Sequence, residues 1–509
     1  MKRNKFSLSN TKLLSCDMGE LVPIGLTEVL PGDTFQHATS LLLRVSPLLA
    51  PVMHTVHVRI HHWFVPHRLV WEDFESFITG GADGFDESEF PTITLSYTDG
   101  SPPTGTNLVG ELPDYLGVPP GIDGLEVSAL PFRAYALIYN EWYRDQDLIQ
   151  PLPLSKASGD DTTTNVSLQN AAWEKDYFTS ARPWTQKGPE IGIPVSGTAP
   201  VVGQGELVDP SISRSISAGT PDPDANVDYG QWATNLRTKD SNGNNRQVLL
   251  NLGSELVDPG TFTADLQGTT AVDINDLRLA FALQRYEEAR ARYGSRYTEY
   301  LRYLGVRSSD ARLQRPEYLG GGKQAIQFSE VLQTAEGESP VGELRGHGIS
   351  AVRSNRYRRF FEEHGYVMSL LSVRPKTIYQ QGLPRTFNRR TKEDFWQREL
   401  EHIGQQEVLN KELYAPHSEP DGVFGYQDRY DEYRRQESNV HGEFRTTALD
   451  FWHMGRIFAS EPVLNGDFVT STPTKRINAV QTEDVLWIMA RHSIQARRQL
   501  SKTGKSYIY

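Results

Sequence analysis

The amino-acid sequence predicts a mainly β fold made of antiparallel sheets, with a few helices. The clearest strand is residues 53–65, where apolar and polar side chains alternate. Further strand candidates at 39–45, 366–373 and 485–490 lie far apart along the chain, so a sheet that joins them uses antiparallel, long-range pairing. The 509 residues include 42 glycines and 30 prolines, which favour turns and loops over long helices.

The alternation in 53–65 assigns its side chains to two faces. One face is apolar and holds Val56, Val58, Ile60 and Phe64. The opposite face holds His57, Arg59, His61 and Trp63. Because successive side chains of a strand point to opposite sides, we expect Val56, Val58 and Ile60 to be buried against a second sheet.

Two helices are predicted. The first, 131–143, begins with a proline suited to the first helical turn and carries aromatic residues at a spacing of three and four, which predicts core packing rather than a ligand site. The second, 273–293, has a heptad-spaced apolar seam and a charged opposite face typical of a solvated helix.

Residues 196–272 differ in composition from the rest of the chain. They are rich in Gly, Asp, Asn, Thr and Ser, and the strings PDPDAN and SNGNN are strong turn signals. A structureless loop of this length is improbable inside a compact domain. We therefore expect an inserted subdomain or an exposed projection.

Charge is segregated along the sequence. The formal net charge is −12, and the segment 69–132 has twelve acids and no Lys or Arg. Both ends, 1–16 and 491–509, are basic and contain no acid. Charged ends can simply be solvated termini, but the pattern also fits a protein with one basic and one acidic surface.

Catalytic and metal-binding patterns are not supported. Five histidines cluster at 54–67, but neighbouring strand positions point to opposite faces and do not converge on one ion. The tract 319–323, LGGGK, lacks the spacing and the Ser or Thr of a phosphate loop. Cys16 has no context that marks a nucleophile, and as the single cysteine it cannot form an intrachain disulfide. We predict no enzyme activity, no cofactor and no metal.

Targeting signals are also not evident. The basic start lacks the apolar stretch of a signal peptide, and no run approaches the roughly 18 apolar residues of a membrane span. We expect a protein made in a cytoplasm, without membrane insertion.

Several blocks of the sequence, in constant order, resemble major capsid proteins of the Microviridae, and gokushoviruses and related branches more than the φX type. They are residues 15–81, LPFRAYALIYNEWYRDQDL at 130–148, ARPWTQKGP at 181–189, RYLGVRSSDARLQRPEYLGGGK at 302–323, residues 365–408, and GYQDRYDEYRRQESNVHGEFR at 425–445. Together they cover most of the chain outside 196–272.

The resemblance implies an eight-stranded viral jelly-roll β-barrel with long interstrand insertions. It divides the chain into a first part of the shell domain (1–195), an inserted surface projection at the threefold axis (196–272), and the remainder of the shell domain (273–509), which has the helix 273–293 and a basic tail. The implied function is self-assembly into a T=1 icosahedral shell around circular single-stranded DNA, with the projection used in host attachment. At the threefold axis we expect apolar contacts from Trp232, Val248, Leu249 and Leu250.

The basic ends are the predicted DNA contacts, because cations neutralise phosphates and tyrosine rings stack on unpaired bases. The candidates are Lys2, Arg3, Lys5, Arg491, Arg497, Arg498, Lys502, Lys505, Tyr507 and Tyr509. An alternative is that the tail joins neighbouring subunits through salt bridges. The acidic stretch 69–132 would then lie mainly on the outside.

The implied partners are further copies of the chain, the viral single-stranded DNA, a small basic DNA-packing protein, an internal scaffolding protein, a DNA pilot protein and a bacterial surface receptor. The implied location is the virion, assembled in the cytoplasm of a host bacterium. Two other functions are weighed against this one: a carbohydrate-active or carbohydrate-binding β-sandwich, and a cytosolic nucleic-acid-binding protein. The ordered blocks and the basic ends favour the capsid.

Overall fold

The computed structural model describes residues 3–81, 86–188, 201–203, 235–239, 245–249, 262–264, 274–293, 315–332, 334 and 342–502. The chain separates into two compact units. One unit is Met1–Gly188 together with Glu287–Tyr509, and the other is Pro189–Tyr286.

The described elements are mostly short strands. The strands are β1 (Asn4–Ser7), β2 (Asn10–Cys16), β3 (Leu21–Val29), β4 (Thr34–Val45), β5 (Val56–Pro66), β6 (Thr92–Leu95), β7 (Tyr97–Thr98), β8 (Thr104–Gly105), β9 (Leu125–Ser128), β10 (Val201–Gly203), β11 (Asn235–Lys239), β12 (Asn245–Leu249), β13 (Phe262–Ala264), β14 (Glu317–Ala325), β15 (Gln327–Leu332), β16 (Leu344–Arg353), β17 (Tyr357–Phe360), β18 (Gly365–Pro375), β19 (Gln405–Leu409), β20 (Val423–Asp428) and β21 (Leu486–Arg498). The α-helices are α1 (Phe74–Thr79), α2 (Leu112–Leu116), α3 (Leu130–Ile138), which continues as a wider turn through Tyr139–Tyr143, and α4 (Ile274–Tyr293), with single turns at Asn410–Leu413 and Gly466–Val469. Short 3-10 turns lie at His67–Leu69, Arg385–Asn388, Lys392–Asp394, Arg398–Leu400, Asp431–Tyr433, Gly442–Arg445 and Asp450–Trp452.

Two antiparallel sheets form the centre of the larger unit. In sheet 1, β1 and β2 both pair with β21, which is followed by β4, then β16 and β17, then β15. Sheet 2 has the order β14-β5-β18-β3. If the eight strands β2, β3, β4, β5, β14, β16, β18 and β21 are numbered one to eight along the chain, the spatial orders are 1-8-3-6 and 2-7-4-5. This is the order of two Greek keys in a jelly roll, and the predicted mainly β fold is confirmed.

The two sheets bury an apolar core between them. Val56, Val58 and Ile60 of β5 are fully buried in one cluster with Leu43 of β4 and Ile488 of β21. The alternation in 53–65 therefore predicted the buried face of this strand correctly. Burial of each such side chain contributes about 1.5–3 kcal/mol relative to exposure.

A group of three histidines interrupts this apolar core. Nε2 of His37 lies 3.3 Å from Nδ1 of His492, and the His37 and His62 rings are 4.6 Å apart. Nε2 of His492 lies 2.9 Å from the carbonyl oxygen of Ile24, so this nitrogen carries the proton and donates, while Nδ1 accepts. Nδ1 of His62 is 2.8 Å from the hydroxyl of Ser369. The histidine cluster (His37, His62 and His492) thus links the two sheets, through the hydrogen bond from His492 of β21 to β3 and through the ring contact between His37 of β4 and His62 of β5.

Part of the connection that follows β5, including α3, packs on the other face of sheet 2. Helix α3 packs Phe132, Tyr135 and Ile138 into a buried cluster with Trp63 and Met368 of the sheet. The hydroxyl of Tyr135 donates to the carbonyl oxygen of Leu21 at 2.9 Å. The aromatic stripe of the first predicted helix is therefore core packing, as expected.

The glycine tract 319–323 lies inside β14. A Cβ atom on Gly321 would lie 2.2 Å from the carbonyl oxygen of Ile60 in the neighbouring strand β5, which no side chain can tolerate. The glycine at this position is explained by close strand packing, not by phosphate binding.

The smaller unit contains the segment expected to be an insertion. Its described strands form two antiparallel pairs, β10 with β13 and β11 with β12. Val248 and Leu249 belong to β12, whereas Trp232 and Leu250 lie outside the described residues. The projection at a threefold axis stays a prediction.

Candidate nucleic-acid interface

The face of sheet 1 that points away from the core is strongly cationic. Strand register and alternation place seven exposed cations on it: Lys5, Arg44, Arg345, Arg353, Arg358, Arg491 and Arg497. On this face of the described strands of sheet 1 there is no Asp or Glu. We call this surface the cationic face.

Within the described part of the chain, most of these charges have no acidic partner. Arg345 pairs with Glu343 at 2.6 Å, where the arginine side chain is about half exposed. No ion pair between described residues involves the other six cations. Like charges that are not neutralised within the subunit produce a positive potential, which attracts a polyanion.

The sequence-predicted DNA contacts lie in different surroundings. Lys5, Arg491 and Arg497 lie on the cationic face, and Lys5 is the direct cross-strand neighbour of Arg497. Arg3 lies at the edge of sheet 1, where Nη1 donates to the carbonyl oxygen of Gly32 at 3.0 Å and the guanidinium lies 5.2 Å from the Phe360 ring centre.

Arg498 points to the opposite side of β21. Its Nε lies 3.0 Å from a carboxylate oxygen of the buried Asp33, and Nη2 donates to the carbonyl oxygen of Glu28 at 2.6 Å. Its charge is thus engaged within the subunit. Lys502 is exposed, whereas Lys2, Lys505, Tyr507 and Tyr509 lie outside the described residues.

Four cations of this face were not selected from the sequence. They are Arg44 of β4, Arg345 and Arg353 of β16, and Arg358 of β17. β4 is separated from β16 and β17 by about 300 residues in the chain, but pairs with both in sheet 1. Their alternate positions within strands are a usable signal, but only when the pairing register is known.

Large apolar side chains lie on the same face. Trp487 is 48% exposed, Leu13 is 78% exposed, and Met489 and Phe360 are also exposed. A combination of cations with accessible aromatic rings is typical of surfaces that bind single-stranded nucleic acid, because the cations meet phosphates and the rings stack on bases.

Much of the acidic stretch 69–132 packs on the outer face of sheet 2, although Tyr115 reaches the core between the sheets. Its apolar residues Ile93, Leu95 and Leu112 pack in the cluster beyond sheet 2. Its exposed acids are Glu72, Asp73, Glu75, Glu87, Glu89, Asp99, Asp123 and Glu126. None of these acids belongs to a strand of the cationic face.

A cavity of about 650 Å³ is lined mostly by residues of the connection between β18 and β21, including Tyr379 and Glu412. Tyr177, from an earlier part of the chain, also lines it. Its carboxylates are already engaged, since Arg385 donates to Glu412 at 2.8 Å and lies 3.6 Å from Glu432. Burial raises the pKa of Glu412, and Arg385 opposes that effect. This arrangement is an internal ion-pair network and not a pair of free carboxyl groups of the kind glycoside hydrolysis requires.

Among the described residues, no group of three or more His, Cys, Asp or Glu side chains is placed to hold a metal ion. None of the helices in the described ranges has both the length and the apolar character needed to cross a bilayer.

Comparison with known proteins agrees with the geometry. The family model described as capsid protein (F protein) matches residues 1–508. The chain is 36% identical to capsid protein VP1 of Bdellovibrio phage phiMH2K, over 95% of this chain and 90% of that protein. It is 34% identical to capsid protein VP1 of Chlamydia phage 1, over 94% and 91%, and 32% identical to capsid protein VP1 of Spiroplasma virus 4, over 92% and 87%. The chain therefore belongs to the capsid protein (F protein) family of the Microviridae, and it is a structural, self-assembling protein of the virion and not an enzyme.

Proposed function

We propose that the chain assembles into a T=1 icosahedral shell around a circular single-stranded DNA genome, with the cationic face turned inward. The observation that carries the proposal is the cationic face itself, with seven exposed cations and no Asp or Glu on that face of the described strands. A shell subunit that encloses a polyanion needs such a surface on one side only. Assembly takes place in the cytoplasm of a host bacterium.

Counterion release supplies the binding free energy. Each cation that neutralises a phosphate of single-stranded DNA releases condensed counterions, and the slope of log K against log salt is about −0.7 per contact. If all seven cations of the cationic face contact phosphates, the slope is about −5. This contribution does not depend on base sequence, which suits the packaging of a whole genome.

The acidic stretch supports the same orientation. Its apolar residues pack mainly beyond sheet 2, and none of its exposed acids belongs to a strand of the cationic face. Acids turned toward packaged DNA would repel it, so the arrangement favours an acidic exterior and a cationic interior.

We predict that Arg491→Gln and Arg497→Gln together weaken DNA binding. Both side chains are exposed on β21, so the fold is retained, and the loss of two phosphate contacts reduces the salt slope by about 1.4. The measurement is the affinity of the purified full-length chain for a single-stranded oligonucleotide at several salt concentrations. The matched control is Lys392→Gln with Arg398→Gln, which removes two exposed cations from the connection between β18 and β21. An unchanged slope in the first variant, or an equal loss in the control, contradicts the inward cationic face.

We further propose that 196–272 is the surface projection and that it contributes to host attachment through a bacterial surface receptor. Its turn-rich, polar composition and its place in a separate compact unit support this assignment. The other proposed partners are a small basic DNA-packing protein, an internal scaffolding protein and a DNA pilot protein.

Deletion of residues 220–228 tests the projection. We expect electron microscopy to find uniform closed particles for both the unaltered chain and the deletion variant, because the shell contacts lie elsewhere. Adsorption of the variant particles to host cells is expected to fall strongly. Replacement of the same nine residues by a Gly-Ser segment of equal length controls for loop length. Loss of particles in the deletion variant, or normal adsorption, contradicts the assignment.

A further inference from the structure

Two adjoining depressions lie at one end of the cationic face. Their volumes are about 500 Å³ and about 700 Å³, which is within the usual range of ligand sites. The side chains of Arg44 and Trp487 line both of them. We call the two depressions and the ridge between them the Trp487 groove.

The floor of the Trp487 groove is apolar. The smaller depression is lined by Leu13, Leu42 and Met489, which are consecutive cross-strand neighbours in β2, β4 and β21. Direct neighbours of this kind have Cβ atoms about 4.5–5.5 Å apart, so the three side chains form one continuous surface. The larger depression adds Val331 and Ile349.

The rim of the groove is cationic. Arg44 lies directly opposite Trp487 in the strand register, and Arg345 lines the larger depression. Of two acids near the rim, Glu343 pairs with Arg345 at 2.6 Å, and Asp484 accepts a hydrogen bond from Ser15 at 2.6 Å. A ligand that fits this groove has flat apolar groups and carries negative charge.

We propose that the Trp487 groove holds unpaired bases of single-stranded DNA, with the Trp487 ring as the stacking platform and the flanking arginines on the adjacent phosphates. The proposal deepens the proposed function, since it rests on an inward cationic face. Charge complementarity selects this occupant over an apolar protein segment, which would leave Arg44 without an anion. Paired bases do not suit the groove, because their faces are covered within the duplex.

The test compares two ligands that have the same phosphates. The purified full-length chain is titrated with a 20-nucleotide oligo(dT) and with a fully abasic strand of equal length, at several salt concentrations. We expect oligo(dT) to bind about tenfold more tightly than the abasic strand, because stacking adds to the phosphate contacts. Trp487→Ala is expected to bring that ratio close to one without changing the salt slope, whereas Trp487→Phe retains most of it.

The chain offers a matched control. Trp396 is 52% exposed, similar to Trp487, but lies in the connection between β18 and β21. Trp396→Ala is expected to leave the ratio unchanged, and thermal unfolding verifies that every variant is folded. Equal binding of oligo(dT) and the abasic strand by the unaltered chain, with a normal salt slope, overturns the groove assignment and assigns the groove to a protein segment. Salt-independent binding of both strands overturns the proposed function as well.

Discussion

Acidification from pH 6.5 to pH 5 is expected to lower the free energy of unfolding by about 2 kcal/mol through His37 alone, and the lowered pKa values of His62 and His492 add to this loss. Burial between the sheets, followed by the proximity of His492, lowers the pKa of His37 to about 3. Burial also lowers the pKa of His62, with His37 and His492 adding to the effect. Burial also lowers the pKa of His492. The hydrogen bond to the carbonyl oxygen of Ile24 opposes this effect, and the nearby charge of Lys12 adds a smaller lowering.

The sign follows from the protons that each state binds. The folded chain keeps these rings neutral, whereas the unfolded chain protonates them below about pH 6.5. The stabilisation is therefore complete above pH 6.5 and is lost as the pH falls toward the folded-state values, at about 1.4 kcal/mol per pH unit and histidine. Burial also lowers the pKa values of His54 and His61 to about 4, so these two histidines change the unfolding free energy with pH in the same direction. Glu20 opposes them, because burial raises its pKa to about 7 and it binds a proton in the folded state.

Urea unfolding at pH 7, 6 and 5 measures this dependence. His37→Gln cannot take up a proton and is expected to reduce the slope of the unfolding free energy against pH by about 1.4 kcal/mol per pH unit. His347→Gln is the control, since His347 is exposed on the cationic face. Equal stability at pH 7 and pH 5 in the unaltered chain, or an effect of His347→Gln as large as that of His37→Gln, rules out this account of the cluster.

Loss of the buried ion pair between Arg133 and Asp161 is expected to destabilise the chain by about 3–5 kcal/mol. Both side chains are completely buried, and Nε of Arg133 donates to Asp161 at 2.7 Å. The guanidinium also donates to the carbonyl oxygens of Val70 and Ala157, at 3.1 and 2.9 Å. Burial raises the pKa of Asp161, but its hydrogen bonds with Thr164 and Arg133 outweigh burial and hold the pKa below its usual value.

The coupling within this pair is the measurable quantity. Arg133→Met leaves a buried carboxylate without its cation, and Asp161→Leu leaves a buried guanidinium without its anion. Each single variant is therefore expected to lose about 3–5 kcal/mol of unfolding free energy. The double variant is expected to be less destabilised than the sum of the two, by at least 2 kcal/mol. Arg398→Met, an exposed arginine, should change stability by less than about 0.5 kcal/mol. Additive effects in the double variant refute a specific pair.

The sequence was sufficient to predict those elements that depend on the pattern of neighbouring residues. The alternation in 53–65 predicted both β5 and its buried face, and the aromatic spacing predicted α3. The predicted strand at 485–490 was too short, since β21 continues to Arg498. The cations in the second half of this strand resemble those of a solvated tail, which explains the early end of the prediction. Alternation along the full strand would have placed Arg497 on the cationic face and Arg498 on the core side.

Non-local pairing explains what the sequence did not predict. His37, His62 and His492 belong to three strands, and their contact depends on the register of β4 against β21 and on how the two sheets are stacked. Arg44 and Arg353 reach the same surface only through the pairing of β4 with β16. No local pattern encodes a register between residues separated by hundreds of positions.

The place of β21 in sheet 1 has a consequence for the order of synthesis. β1 and β2 pair with β21, and β4 has β21 as a neighbour along most of its length. At about 5–20 residues per second, the ribosome makes β21 on the order of 25–100 s after these strands. Until then the first strands have exposed edges, and a chain that stops before residue 486 lacks Arg491, Arg497 and the Trp487 groove. Completion of sheet 1 thus waits for the end of translation, and an interrupted chain lacks the strand that joins β2 to β4.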